Sequence, residues 1–90
     1  MFERRQALKL TARFFAIYRE RVGLSELTLD LPIGTTVSDF LEALRQRYPD
    51  LASPTVNIVV AVNTEYAGEN TTLFEGDEVA LIPPVSGGHL

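Results

Sequence analysis

The sequence predicts an α+β fold in which one main helix covers one face of a mixed β-sheet. Three observations predict it: two alternating apolar stretches near the start, one amphipathic helical pattern in the middle, and strand-like apolar runs separated by turn residues toward the end. The 90 residues leave room for a single domain, expected over about residues 7–83 with a C-terminal arm at 84–90.

The first third of the chain predicts two strands joined by a compact connection. Ala7 to Phe15 alternate between apolar and other side chains, as in a half-buried strand. The stretch "AIYRERVG" predicts a short helical turn that ends at Gly23. The next stretch, "LSELTLDL", alternates again and predicts a second strand with one apolar face, formed by Leu27, Leu29 and Leu31.

The middle of the chain predicts the main helix. Thr36 is a candidate N-cap, and Asp39 follows at the spacing of a capping box. Apolar residues then recur every three or four positions and form one helix face, consisting of Val37, Phe40, Leu41, Leu44 and Tyr48. Pro49 is expected to end the helix.

The last third predicts two more strands around a turn-rich passage. Asn57 to Asn63 is almost wholly apolar and β-branched, which favours a strand buried on both faces in the middle of the sheet. A passage rich in turn residues follows around Tyr66. Gly76 and Asp77 then mark the entry to a last strand over Glu78 to Ile82. The two prolines that follow cannot continue a hydrogen-bonded ladder.

Composition excludes several classes of function. The chain is 46% hydrophobic and 22% charged with no cysteine, so it is expected to be a globular protein without disulfides or thiolate chemistry. A net charge of −4 argues against nucleic-acid binding and favours basic partners. No membrane span or secretory signal is visible, and we therefore expect a cytoplasmic location. Lys9 is the only lysine, by chance or as a conjugation target.

No catalytic or metal-binding constellation is found within the sequence. His89 is the only histidine, Ser86 lies beside it near the chain end, and no helix follows the glycine pair that precedes it. Asp77 and Glu78 are neighbours at a strand, where side chains point to opposite faces, so they are not expected to form an acid/base pair. We expect no bound metal and no bound cofactor.

The C-terminal stretch "PPVSGGHL" is the remaining candidate for chemistry. Pro83 to Gly88 can span about 20 Å when extended, enough to reach a buried site on another protein. Gly87 and Gly88 lack side chains and could pass through a narrow channel. The alternative is a frayed terminus without a role.

Several segments together resemble the MoaD family of ubiquitin-like sulfur carriers. The related ThiS-type carriers share the fold and the two glycines of that family. The resemblance runs from about Leu8 to Gly88 and rests on "ARFFAIYRERVG", "LPIGTTVSDFLEALRQRYPDL", "VAVNTEY" and, most specifically, "LFEGDEVALIPPVSGG". It implies a β-grasp fold. It also implies that the protein is a co-substrate, with most catalytic residues on its partners.

The resemblance further implies a mechanism. A MoeB-type adenylyltransferase would use ATP to adenylate the final glycine, which is then converted to a thiocarboxylate. A MoaE-type large subunit would receive that end and pass its sulfur to the dithiolene of molybdopterin. Carried over by motif, Gly88 bears the thiocarboxylate, Gly87 gives clearance, and the arm is Pro83, Pro84, Val85 and Ser86. Phe74 and the apolar face of the last strand are candidates for the partner interface, with a core position as the alternative for Phe74.

His89 and Leu90 depart from the family pattern, because Gly88 is then bonded as an amide and has no carboxylate to adenylate. Three explanations remain: a peptidase removes the dipeptide, an expression tag introduced it, or the chain has lost its chemistry. Sulfur delivery to another pathway (thiamine, cysteine or siderophore-type) and a non-catalytic ubiquitin-like binding module remain alternatives to the molybdopterin role.

Overall fold

The computed structural model describes residues 7–84, which form two helices and five strands. In chain order these are β1 (Ala7–Phe14), α1 (Ala16–Val22), β2 (Glu26–Pro32), α2 (Val37–Arg47), β3 (Val59–Val62), β4 (Glu65–Ala67) and β5 (Glu78–Ile82). Neither helix of this part of the chain is long and apolar enough to cross a membrane.

The strands form one mixed sheet in the order β2-β1-β5-β3-β4. β1 pairs antiparallel with β2 and parallel with β5, while β3 pairs antiparallel with both β5 and β4. The last strand in sequence therefore lies in the centre of the sheet. The expected α+β, β-grasp architecture is confirmed.

The core lies between α2 and one face of the sheet. Alternation along the strands sends every second side chain to this face, and the 3.6-residue period of α2 presents a matching apolar stripe. The largest side chains with almost no exposed surface are Phe14, Phe40, Leu10, Leu44, Leu51, Leu73 and Leu81. Phe14 also contacts Tyr48 edge to face, with ring centroids 6.5 Å apart. The other face of the sheet has no helix over it among the described residues.

The capped ends of both helices are those that the sequence predicts. The Thr36 hydroxyl accepts the Asp39 N–H at 3.2 Å, and the Asp39 carboxylate accepts the Thr36 N–H at 3.1 Å, which completes the capping box. α2 ends at Arg47, two residues before Pro49. α1 ends at Val22 and is capped by Gly23, whose φ of 85° is left-handed and suits a residue without a side chain.

The prediction for Asn57 to Asn63 is wrong in three respects. The strand covers only Val59–Val62, and β5 rather than β3 occupies the centre of the sheet. The side chain of Val59 is 52% exposed, so the strand is not buried on both faces. The cause is architectural: a two-layer fold covers one face of its sheet, and a β-branched run carries no signal of which face stays open.

The passage around Tyr66 contains a short strand, β4, where its turn-type residues predict only turns. Asn63 and Thr64 have left-handed φ angles of 50° and 73°, as in a two-residue hairpin turn with positive φ at both positions. This turn folds β4 back onto β3, where Tyr66 pairs with Ala61. The short β4 is the edge of the sheet on this side.

Candidate functional site at the root of the C-terminal arm

The predicted arm follows directly after the central strand, β5. β5 ends at Ile82, and Pro83 and Pro84 follow, the first half-buried and the second exposed. Neither proline has an N–H to donate, so strand pairing stops at this point. The remaining residues of the predicted site, Val85, Ser86, Gly87 and Gly88, lie outside the described residues, as do His89 and Leu90.

An apolar surface surrounds this exit on the open face of the sheet. Cross-strand pairs place Val59 beside Ile82 and Ala61 beside both Ala80 and Tyr66. These five residues, Val59, Ala61, Tyr66, Ala80 and Ile82, are called the outer patch. Tyr66 is 78% exposed and Val59 is 52% exposed, so the patch presents large apolar side chains around small central ones. Exposed apolar surface of this kind is typical of a protein–protein contact.

A cleft of about 260 Å³ lies where the outer patch meets the first residues of the arm. Its walls combine patch side chains with Val56, Asn57, Tyr18 and the two prolines. The first two residues of the arm, Pro83 and Pro84, therefore line the same apolar cleft as the outer patch. A partner that covers the patch would also contact the root of the arm.

Two arginines hold the loop that forms one wall of this cleft. Arg21 donates to the carbonyl of Leu51 at 2.9 Å, and Arg45 donates to the carbonyl of Val56. Burial raises the pKa of Tyr18 above its ordinary value, and the positive charges of Arg21 and Arg45 offset part of that rise. The shift favours the neutral form of the Tyr18 phenol beside the cleft.

A charged group borders the outer patch along β1. Arg13 donates to Glu78 at 3.0 Å, and its guanidinium carbon lies 5.8 Å from the ring centroid of Phe15, which is 39% exposed. Asp77 has different partners, so the expectation that Asp77 and Glu78 do not act as an acid/base pair agrees with the geometry. Both residues of the ion pair are about 40% exposed, so the pair stabilises the fold only slightly.

Phe74 is exposed rather than part of the core. Its side chain is 66% exposed, whereas the neighbouring Leu73 is buried, which makes the core alternative for Phe74 wrong. The Phe74 N–H donates to the Asp77 carboxylate at 2.9 Å, and the Asn63 side chain donates to the same carboxylate at 2.8 Å. Phe74 and Tyr66 line one surface depression of about 570 Å³, so Phe74 extends the apolar surface away from the arm.

Tyr66 and Val59 are the surface residues that sequence reasoning missed. The segment "VAVNTEY" contains both the strand and the hairpin turn, but its turn-like residues hid the short β4. The positions of Asn63 and Thr64 between two alternating runs would have indicated a hairpin. An outward Tyr66 follows from that register.

Within residues 7–84, no three histidine, cysteine, aspartate or glutamate side chains are placed to hold a metal ion. What the described residues do present is an apolar cleft at the root of the predicted arm.

Comparison with known proteins gives the family of the chain. The sequence model of the ThiS family matches residues 12–88. The molybdopterin synthase sulfur carrier subunit of Arabidopsis thaliana is 35% identical over 82 residues, which cover 91% of this chain and 85% of that protein.

Solved structures of similar chains share the fold. The crystal structure of SAMP1 from Haloferax volcanii matches with a TM-score of 0.79 and 34% identity, covering 89% of this chain and 99% of that one. A chain in the complex of subunits 1 and 2 of molybdopterin-converting factor from Helicobacter pylori matches with a TM-score of 0.62 and 26% identity, covering 90% of this chain and all of that one. The family match covers most of the sequence, and the chain belongs to the ThiS family.

Proposed function

We propose that this chain is a sulfur carrier in molybdopterin synthesis and that the carboxyl group of Gly88 carries the sulfur. The observation that carries the proposal is the position of Pro83 and Pro84, which lead the chain from the central strand past the outer patch. The family match, which ends at Gly88, and the sulfur carrier subunits among the relatives support it.

Activation of Gly88 requires a good leaving group, because a free carboxylate is a poor acyl donor. In the proposed first step a Gly88 carboxylate oxygen attacks the α-phosphorus of ATP, and pyrophosphate leaves. A sulfide nucleophile then attacks the acyl carbon and AMP leaves, which produces the thiocarboxylate. Because no cysteine is available on the chain, the sulfur reaches Gly88 from a partner. A MoeB-type adenylyltransferase is the proposed catalyst, and ATP is its substrate.

Removal of His89 and Leu90 must precede this activation. While Gly88 is bonded to His89, its carbonyl belongs to an amide. The carboxylate of Leu90 would lie about 7 Å farther along an extended chain, behind two side chains. We propose that a peptidase hydrolyses the bond between Gly88 and His89. Intact mass of the protein isolated from its own cells tests this step: a chain ending at Gly88 is expected, and a chain that keeps both residues would contradict it.

Delivery of the sulfur is proposed to use the outer patch as the docking surface for a MoaE-type large subunit. The six residues from Pro83 to Gly88 extend about 20 Å, so a subunit seated on the patch could receive the terminus in a nearby channel. The complex of two molybdopterin-converting factor subunits from Helicobacter pylori supports a large-subunit partner. Phe74 would contact the same partner through the depression it shares with Tyr66.

Intact mass spectrometry tests the carrier chemistry. A chain that ends at Gly88 is incubated with ATP, Mg²⁺, a sulfide source and a MoeB-type adenylyltransferase, beside the 90-residue chain as a matched control. We expect one oxygen to be replaced by sulfur in the shorter chain and no change in the control. An unchanged mass of the shorter chain, with an enzyme that converts its own carrier in the same buffer, would contradict the proposal.

A further inference from the structure

The outer edge of β2 carries a row of backbone groups that point away from the rest of the sheet. β2 is the last strand on its side, and in the part of the chain that the structure describes no strand lies beyond it. The Phe14 N–H donates to the Ser25 carbonyl at 2.9 Å, so every second residue counted from Ser25 bonds to β1. Glu26, Thr28 and Asp30 alternate with those residues and direct their N–H and C=O groups outward.

Hydrogen bonds on the other side of β1 confirm this direction. The Thr11 N–H donates to the Asp77 carbonyl at 3.0 Å, so the backbone of Thr11 faces β5. Thr28 lies opposite Thr11, and its backbone groups therefore face the edge. Pro32 has the same orientation but no N–H, so the row of outward donors ends before it. The stretch from Glu26 to Asp30 can thus pair with one more strand.

The side chains beside this edge differ between the two faces of the sheet. Leu27 and Leu31 are half-buried and pack against the core. Ile33, just beyond β2, is 63% exposed and lines a separate depression of about 260 Å³ with Leu31. Glu26 and Asp30 are exposed on the opposite face. An added strand would therefore contact apolar side chains on one face and carboxylates on the other.

The charge of the edge determines which strand fits it. Arg13 lies opposite Glu26 but forms its ion pair with Glu78, and within residues 7–84 neither acid of the edge has an ion-pair partner. A second copy of this chain, paired antiparallel along the whole strand, would bring Glu26 of each copy opposite Asp30 of the other. Like charges that face each other destabilise a sheet, whereas opposite charges stabilise it. The edge therefore favours a basic strand over self-pairing.

We propose that the edge of β2 from Glu26 to Asp30 binds an extended segment of a partner protein in which basic and apolar residues alternate. The segment adds as an antiparallel strand, with basic side chains opposite the two acids and apolar side chains against Leu27 and Leu31. β1 lies between this edge and β5, so the bound segment leaves the outer patch uncovered. The proposal does not depend on the chemistry of the chain end.

A synthetic peptide, acetyl-Val-Lys-Val-Lys-Val-Lys-Val-amide, tests the backbone pairing with the 90-residue chain. In the antiparallel arrangement its lysine amides face β2 and its valine amides face away. N-methylation of the lysine amides is expected to raise the Kd roughly tenfold or more, because the hydrogen bonds to β2 are lost. N-methylation of the same number of valine amides is the matched control and should change the Kd much less. Isothermal titration calorimetry measures both.

Charge variants and amide exchange test the location. Asp30→Lys is expected to weaken binding of the unmodified peptide and to improve binding of a peptide with glutamate in place of lysine. Glu65→Lys makes the same charge change on β4, the opposite edge, and should alter neither as strongly. Circular dichroism verifies that both variants fold. In the complex, hydrogen exchange of the Glu26, Thr28 and Asp30 amides should slow.

Four results would overturn the proposal. They are no binding at millimolar peptide, equal Kd values for the two methylated peptides, equal effects of the two charge variants, and slowed exchange at the β4 amides instead of those on β2. Sulfur transfer to the chain end enters none of these measurements, so a failure here leaves the proposed function standing.

Discussion

At the residue scale, Tyr66 is the side chain shared by the cleft at the root of the arm and the depression beside Phe74. Its ring is 78% exposed, so folding does not account for a large aromatic side chain at this position. Exposed aromatic residues near the centre of an apolar surface often contribute most of the binding free energy of an interface.

Tyr66→Arg is expected to weaken binding of the MoaE-type large subunit without unfolding the chain. The variant would place a charge where the partner excludes water, at a cost of about 2 kcal/mol, or roughly 30-fold in Kd. Isothermal titration calorimetry measures this change. Ile33→Arg is the matched control, because Ile33 is also an exposed apolar residue, at 63%, but lies outside the outer patch. Equal Kd values for the two variants would contradict the docking surface.

Tyr18 predicts how stability changes at alkaline pH. Burial raises its pKa above the ordinary tyrosine value of 10.0, so the folded state favours the neutral phenol, and the unfolded state releases the proton at lower pH. The contribution is complete below about pH 10 and is lost as pH rises through the higher folded pKa. Urea unfolding of wild type and Tyr18→Phe should give a constant difference in unfolding free energy below about pH 9. Above about pH 10 the difference should shift in favour of the variant, and a constant difference up to pH 11 would contradict the account.

The β3–β4 hairpin and the entry to β5 are the elements that shape the open face. Asn63 joins them, because its side chain donates to Asp77 at 2.8 Å and accepts the Glu78 N–H at 3.0 Å. Its backbone φ of 50° is left-handed, a conformation that asparagine tolerates better than most residues. One residue thus fixes both the hairpin turn and the start of the central strand.

Asn63→Ala is expected to lower the free energy of unfolding by about 2–3 kcal/mol, from two lost hydrogen bonds and a less favourable left-handed residue. Urea denaturation followed by circular dichroism measures the loss. Asn70→Ala is the control, since the Asn70 side chain is exposed and makes no hydrogen bond to another residue in 7–84. A loss no larger than that of the control would show that the side chain of Asn63 is unimportant.

The elements also show how far the sequence predicts the structure. The helix over Val37–Arg47 was predictable because its cap and its apolar period are both local signals. The position of β3 in the sheet, and the exposure of Val59, depend on which strands pair over long distances and on which face α2 covers. The prolines and glycines predict the arm, whereas the outer patch follows only from the register of three strands. Tyr66 and Phe74 could not be placed on one surface from local sequence alone.

At the scale of the whole molecule, the proposed function assigns the chemistry to the chain end and the docking to the sheet. A central strand ends in two prolines beside an apolar face, so a partner can bind a rigid surface and receive a thin terminus at once. Under the proposed function, the partners perform the chemistry. In that role the whole chain is a co-substrate that can be used again after each transfer.

Single-turnover sulfur transfer tests this account most directly. The chain ending at Gly88, converted to the thiocarboxylate, is mixed with the MoaE-type large subunit and the pterin precursor. Intact mass of the carrier and fluorescence of the oxidised pterin product are followed together. Because a dithiolene holds two sulfur atoms, the account predicts that two carriers return to the carboxylate for each molybdopterin formed. Molybdopterin formation without loss of sulfur from Gly88, or a thiocarboxylate that stays intact on an active large subunit, would contradict it.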